Sequence, residues 1–265
     1  MFTGTTDSAI AYAQIFGAIL ALSVGIPAGL YWLRGRVLPP KGTHSRLISS
    51  EIFSLFATVY AFFLGFSIVT LWTNYVTTRT SVSMEASAVN TTFRQAMLLE
   101  RSGPFRDALI RYAKSVVEDE WPAMDEHEAL SQTTLERLSG LWDAFYALKP
   151  ADKADNILYA NLGISITELT RLRLVREQAL SGNLYPPVWV ILIFGLFAVF
   201  VGLFLTNPEQ TRPQVMLECI VAFMILSCVY FIIDIDSPFS GVLKIPPRAI
   251  QDALGRILTL QATLP

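Results

Sequence analysis

The sequence predicts an all-α polytopic membrane protein: four transmembrane helices, with a helical extramembrane domain inserted between the second and third. Three observations predict it. Uncharged runs extend from Ser8 to Leu33, from Ile52 to Thr78 and from Gln178 to Pro208, with a shorter one from Cys219 to Ile233. Hydrophobic residues form 52% of the chain and charged ones 16%, against about a quarter charged in a soluble domain. No stretch alternates with the period of two that a half-buried strand requires.

A bilayer's hydrocarbon core is about 30 Å thick and takes about 20 apolar residues to cross as a helix. Spans are therefore expected at Ile10–Leu33, Ile52–Tyr75, Pro186–Leu205 and Val215–Ile235. The fourth reaches that length only with Glu218 and Asp234 near the two interfaces. Trp32, Trp72, Tyr75, Tyr185 and Trp189 fall near span ends, where amphipathic rings prefer the headgroup level. The first run lacks a basic leader and a small-residue cleavage site, so it reads as a retained anchor. The chain divides into a first helix pair (1–75), a helical extramembrane domain (76–185), a second pair (186–236) and a C-terminal turn with an amphipathic helix (237–265). The expected location is a bacterial inner membrane. Arg34, Arg36, Lys41 and Arg46 in the first linker make that linker cytoplasmic by the positive-inside rule. Both termini and the helical domain then lie on the other side.

Within the inserted segment, Val76–Glu100 has no proline or glycine and continues the second span. Gly103-Pro104 starts a new helix with Leu109, Tyr112, Val116 and Val117 at helical spacing, and Trp121-Pro122 is expected to end it. Leu135, Leu138, Leu141, Trp142 and Phe145 mark another helix before Pro150. A longer one from Asp152 to Leu180 carries Leu158, Leu162, Ile166, Leu169 and Leu172 on one side, and Ser181-Gly182-Asn183 stops it. After the turn Ser237–Gly241, Pro246-Pro247 opens a short helix whose Ile250, Leu254, Ile257 and Leu258 suit the membrane surface or a groove on the helical domain.

Two patterns bear on function. Ala13, Gly17, Ala21, Gly25 and Gly29 form a row of small residues along the first span, matched by Ala57, Ala61 and Gly65 in the second. Such rows let another backbone approach closely, within one chain or between chains. On the second long helix, Ser67, Thr70, Asn74, Thr77, Ser81 and Glu85 lie within an arc of roughly 80° over about 27 Å. Facing an oligomer axis, they would form a wettable pore wall with Glu85 as a charged, cation-favouring mouth. Phe62, Phe63 and Phe66 are available for a hydrophobic constriction. The other reading is that the hydroxyls bond back to their own helix.

The acids Glu218, Asp234 and Asp236 at the ends of the fourth span read either as functional intramembrane groups or as interfacial residues. Cys219 and Cys228 fall on opposite faces of one helix and cannot pair with each other. His44 and His127 have no ligand spacing, and no phosphate loop or nucleophile elbow occurs, so neither an enzyme, a cofactor nor a metal is expected. Glu118-Asp119-Glu120 with Asp125, Glu126, His127 and Glu128 could bind a divalent cation but reads better as a solvated connection. The net charge of −2 favours no particular partner, and nucleic acid is not expected.

Several landmarks resemble the bestrophin-like membrane proteins. These are two spans, a helical insert and two more spans; Glu85-Ala86 after the second span; Tyr112 followed by Glu120-Trp121-Pro122; and Asp236-Ser237-Pro238-Phe239-Ser240-Gly241 after the fourth. The resemblance implies distant kinship with bestrophins, pentameric channels gated by hydrophobic residues in the second span. The expected function is thus a homo-oligomeric channel for monovalent ions, its axial pore lined by the second helix. The alternative is a non-conducting membrane scaffold or sensor whose helical domain binds a partner.

Overall fold

The computed structural model describes residues 3–37, 50–150, 153–180, 182, 184–206 and 212–263. Lys41 and Arg46 of the basic linker, and Ser181 and Asn183 of the helix stop, lie outside the described residues. The described elements are α1 (Thr3–Val37), α2 (Ser50–Ala96), α3 (Gly103–Ser115), a π-helical turn (Val116–Glu120), α4 (Trp121–His127), α5 (Gln132–Tyr146), α6 (Lys153–Leu180), α7 (Pro186–Thr206), α8 (Arg212–Asp236) and α9 (Arg248–Ala262). No strand occurs among the described residues.

Four helices are long and apolar enough to cross a membrane, through the stretches Ile10–Leu33, Glu51–Ala96, Pro186–Leu203 and Pro213–Asp236. Helix α2 has 47 residues. At 1.5 Å per residue it is about 70 Å long, more than twice a bilayer's hydrocarbon core, so part of it must stand outside.

The chain divides into two compact units. One comprises Met1–Trp72 and Leu184–Asp236, the other Thr73–Asn183 and Ser237–Pro265. In the second, the lower part of α2 contributes Val82, Val89 and Phe93 to a buried core with Phe105, Leu109 and Tyr112 of α3. Leu138, Leu141 and Phe145 of α5 and Leu162, Ile166 and Leu169 of α6 complete it. Helix α9 lays Ile250, Ala253 and Ile257 into the same core, so most of its apolar stripe is covered by the helical unit, while Leu258 is exposed. The pair Trp121-Pro122 does not end its helix, contrary to expectation. Proline lacks the N–H of a regular turn, and the chain accommodates it by widening: the Trp121 N–H bonds five residues back, to the Val116 carbonyl. Helix α4 then runs on until Glu128, which takes a left-handed conformation at φ 50°.

In the first unit α1 packs along α8, with Phe16 edge-on to Phe223 at 5.5 Å. Trp72 of α2 stacks on Phe231 of α8 at 6.4 Å. Within one chain the glycines of the expected small-residue rows make no close approach. Gly17, Gly25, Gly29 and Gly65 face open space, and a Cβ on any of them would meet nothing within 4 Å. The glycines that matter are on α7. A Cβ on Gly195 would overlap the ring of Tyr60, and one on Gly202 the ring of Phe53. Tyr60 gains a fixed position there, donating its hydroxyl hydrogen to the Leu192 carbonyl at 2.9 Å. Gly195→Ala is therefore expected to lower the stability of the detergent-extracted protein by about 1–3 kcal/mol, the range for overpacking; a thermal melt identical to wild type would contradict this packing.

Candidate functional site

The helical unit is built around four buried charges. Helices α2 and α6 each place polar residues on a face that is otherwise apolar. On α2, Thr78, Val82, Glu85, Ala86 and Val89 all point inward. On α6, Leu162, Ile166 and Leu169 are followed at the same spacing by Arg173 and Arg176. The π turn delivers Glu120 to the same place.

Arg176 lies between two carboxylates. Its Nη1 donates to Glu85 Oε2 at 2.8 Å and its Nη2 to Glu120 Oε1. Arg173 Nη2 donates to the other oxygen of Glu120 at 2.9 Å. Tyr112 donates its hydroxyl hydrogen to Glu85 Oε1 at 3.3 Å. Arg176, Glu85 and Glu120 are at most 1% exposed, so the group is sealed from water. Two positive and two negative charges balance, which is what such burial demands. Burial pushes the Tyr112 hydroxyl well above its usual value, with the Glu85 charge adding to the shift, so Tyr112 remains a donor. For Arg176, burial works against the charge, and Glu85 and Glu120 more than restore it.

This network locks onto the turn after α8. The Arg176 guanidinium carbon lies 5.1 Å from the centre of the Trp121 ring. Trp121 packs edge-on against Phe239 at 5.8 Å and donates its indole N–H to the Ile245 carbonyl at 3.0 Å. The Ile245 N–H in turn reaches the Pro238 carbonyl at 2.8 Å. Gly241 sits at φ 76°, a conformation natural to glycine, and lets the turn close. Asp236, at the end of α8, accepts the Leu184 N–H at 2.9 Å. Glu120, Trp121, Pro238, Phe239 and Gly241 thus belong to one construction around Arg176, while Pro122 is exposed.

The Bestrophin-like domain model matches residues 21–250. The chain belongs to the bestrophin-like family. Among solved structures it is similar to a mutant of a bacterial bestrophin homologue from Klebsiella pneumoniae, at 18% identity and a TM-score of 0.71, over 94% of this chain and 99% of that one. A second mutant of that homologue matches at 17% identity and a TM-score of 0.69, over 93% and 98%. A structure described as a membrane protein variant matches at 18% identity and a TM-score of 0.72, also over 93% and 98%. No curated protein matches the chain by sequence.

On this bestrophin-like fold the polar row of α2 divides. Ser67 and Glu85 are buried within the chain. Thr70 and Thr77 are exposed, and Asn74 and Ser81 are half-buried. The hydroxyls of Ser67, Thr70, Thr77 and Ser81 bond to the carbonyls of Phe63, Phe66, Thr73 and Thr77, at 2.9 to 3.1 Å. The expectation that Glu85 charges a pore mouth is corrected: a carboxylate sequestered by Arg176 and Tyr112 presents no charge at the surface of the chain. Phe62 and Phe66 are exposed and Phe63 is half-buried. Glu120, expected in a solvated acidic connection, is wholly buried, and Asp234 is buried beside the Tyr230 hydroxyl, 3.4 Å away. Among the described residues no cluster of three or more histidine, cysteine or acidic side chains is arranged to hold a metal ion.

Arg173 and Arg176 were missed as site residues because arginines ahead of a span count first as topology signals. Their signal was the spacing: they continue the stripe of Leu162, Ile166 and Leu169. Removing one partner of a buried ion pair strands the other, at a cost of about 3–5 kcal/mol. Arg176→Leu is expected to destabilise the protein by that amount. Adding Glu85→Leu leaves Glu120 with Arg173 and should recover at least about half of the loss in a double-mutant cycle. Simple additivity of the two losses in denaturant unfolding would contradict the pairing.

Proposed function

We propose that the protein is a homo-oligomeric ion channel of the bestrophin kind, with α2 lining an axial path for small monovalent ions. Family membership supports the class, and the exposed side of α2 carries the reading. Within one chain that side changes along its length from Val59, Phe62 and Phe66 to Thr70 and Thr77. Facing an axis, the phenylalanines form a ring that excludes water, and the threonines below it form a wettable wall. The hydroxyl hydrogens already used within the helix leave oxygen lone pairs toward the path, a surface suited to weak, transient cation contact. The open faces of Gly17, Gly25 and Gly29 on α1 suit close contact with a neighbouring subunit. Pentameric assembly is the arrangement implied by bestrophins.

The purified protein in planar bilayers tests this. Single-channel currents are expected, and Phe66→Ala should raise conductance severalfold by widening the apolar ring. Absence of current from protein of correct mass and fold would overturn the channel reading and favour a membrane scaffold.

A further inference from the structure

We propose that the end of α1 binds the headgroup of an anionic phospholipid, with Arg36 meeting the phosphate and Trp32 holding Arg36 in place. The site lies within one unit and uses no part of the buried network. Its depth, its geometry and its charge each point to that partner.

Depth comes from the helix itself. The apolar stretch of α1 is Ile10–Leu33, and the helix continues to Val37. Arg36 follows Leu33 by three residues, about 4.5 Å along the axis. The polar zone on each side of a hydrocarbon core is about 5–7 Å deep, so Arg36 falls at the level of lipid phosphates. Tyr31 and Trp32, at 50% and 59% exposure, present their rings at the same border. Geometry then fixes the donor. The Arg36 guanidinium carbon lies 3.9 Å from the centre of the Trp32 ring. One helical turn separates the two residues, so the stack needs no other element. A guanidinium over an aromatic face is held there while its N–H donors stay free at the edges. Both side chains are exposed, and among the described residues no carboxylate pairs with Arg36.

Charge selects the lipid. From Ser8 to Ser50 the sequence carries Arg34, Arg36, Lys41 and Arg46 and no acidic residue. No carboxylate in that stretch neutralises Arg36, and basic residues clustered at a span end attract lipids of net negative charge. The forked donors of a guanidinium match two oxygens of one phosphate. A zwitterionic headgroup also brings a phosphate, but its own ammonium offsets the attraction. A free phosphate lacks the acyl chains that hold a lipid beside Trp32, so the bilayer is the source of the ligand. The proposal stands whether or not the assembly conducts.

The test is native mass spectrometry of the full chain extracted in detergent, offered equal amounts of phosphatidylglycerol and phosphatidylcholine with the same acyl chains. The wild type is expected to retain phosphatidylglycerol in preference. Arg36→Gln should lower that preference about fivefold, the scale of one basic side chain at a membrane surface. Arg256→Gln removes an exposed arginine of α9, outside the apolar stretches, and should leave the preference unchanged. Glycerol phosphate, a headgroup without chains, should leave no adduct. Equal retention of the two lipids by the wild type would overturn the proposal. So would an Arg36→Gln variant that loses no more of the preference than Arg256→Gln does. Binding of glycerol phosphate would make the ligand a soluble anion and overturn it too. An oligomer mass changed by Arg36→Gln with lipid retention intact would do the same, by making Arg36 a subunit contact.

Discussion

The guanidinium of Arg176, held between Glu85 and Glu120, is the contact on which the rest of the helical unit depends. Glu85 comes from α2, Glu120 from the π turn and Arg176 from α6, so one side chain joins three elements distant in sequence. Buried ions are costly to desolvate, and the arrangement is stable only while each charge keeps its partner. That condition makes the geometry specific: rotating α2 or α6 by one position would leave a carboxylate or a guanidinium stranded. Packing of Val82, Val89 and Leu169 alone tolerates such slippage far better. Trp121 and Phe239 extend the constraint to the turn after α8, because the ring beside Arg176 also donates to the Ile245 carbonyl, whose own N–H reaches the Pro238 carbonyl.

Helix α2 is continuous over 47 residues and contains no proline. The stripe that includes Glu85 runs back through Thr78, Leu71, Ser67, Leu64 and Tyr60, all buried. Phe62, Phe66, Thr70 and Thr77 are exposed. In the proposed channel this exposed side would face the axis and Glu85 would add no charge to the path, leaving any ion preference to uncharged residues.

Much of this was legible in the sequence. Long uncharged runs mark the four apolar helices because length and charge alone decide whether a helix suits a bilayer. The stripe of Leu162, Ile166 and Leu169 shows the inward side of α6 for the same local reason. The ion pairs were not legible, since Arg176 meets Glu85 across 91 positions and periodicity carries no information about partners. Glu85 was assigned to the polar row by its hydroxyl neighbours, although it also falls on the row of Val82 and Val89. The π turn was hidden because Trp121-Pro122 has the same local pattern as a helix stop. The roles of Gly195 and Gly202 were not legible either, since their neighbours Tyr60 and Phe53 lie on a different helix.

The orientation of α2 in the proposed channel can be measured directly. With Cys219 and Cys228 replaced by serine, Thr77→Cys and Val82→Cys each place one thiol on opposite sides of the helix, and a water-soluble thiol reagent is applied during bilayer recording. The proposed channel predicts that current through Thr77→Cys changes on modification while Val82→Cys, on the buried Glu85 side, stays unaffected. Modification of Val82→Cys as fast as Thr77→Cys, or of Val82→Cys alone, would contradict an inward Glu85 and the pore face that follows from it.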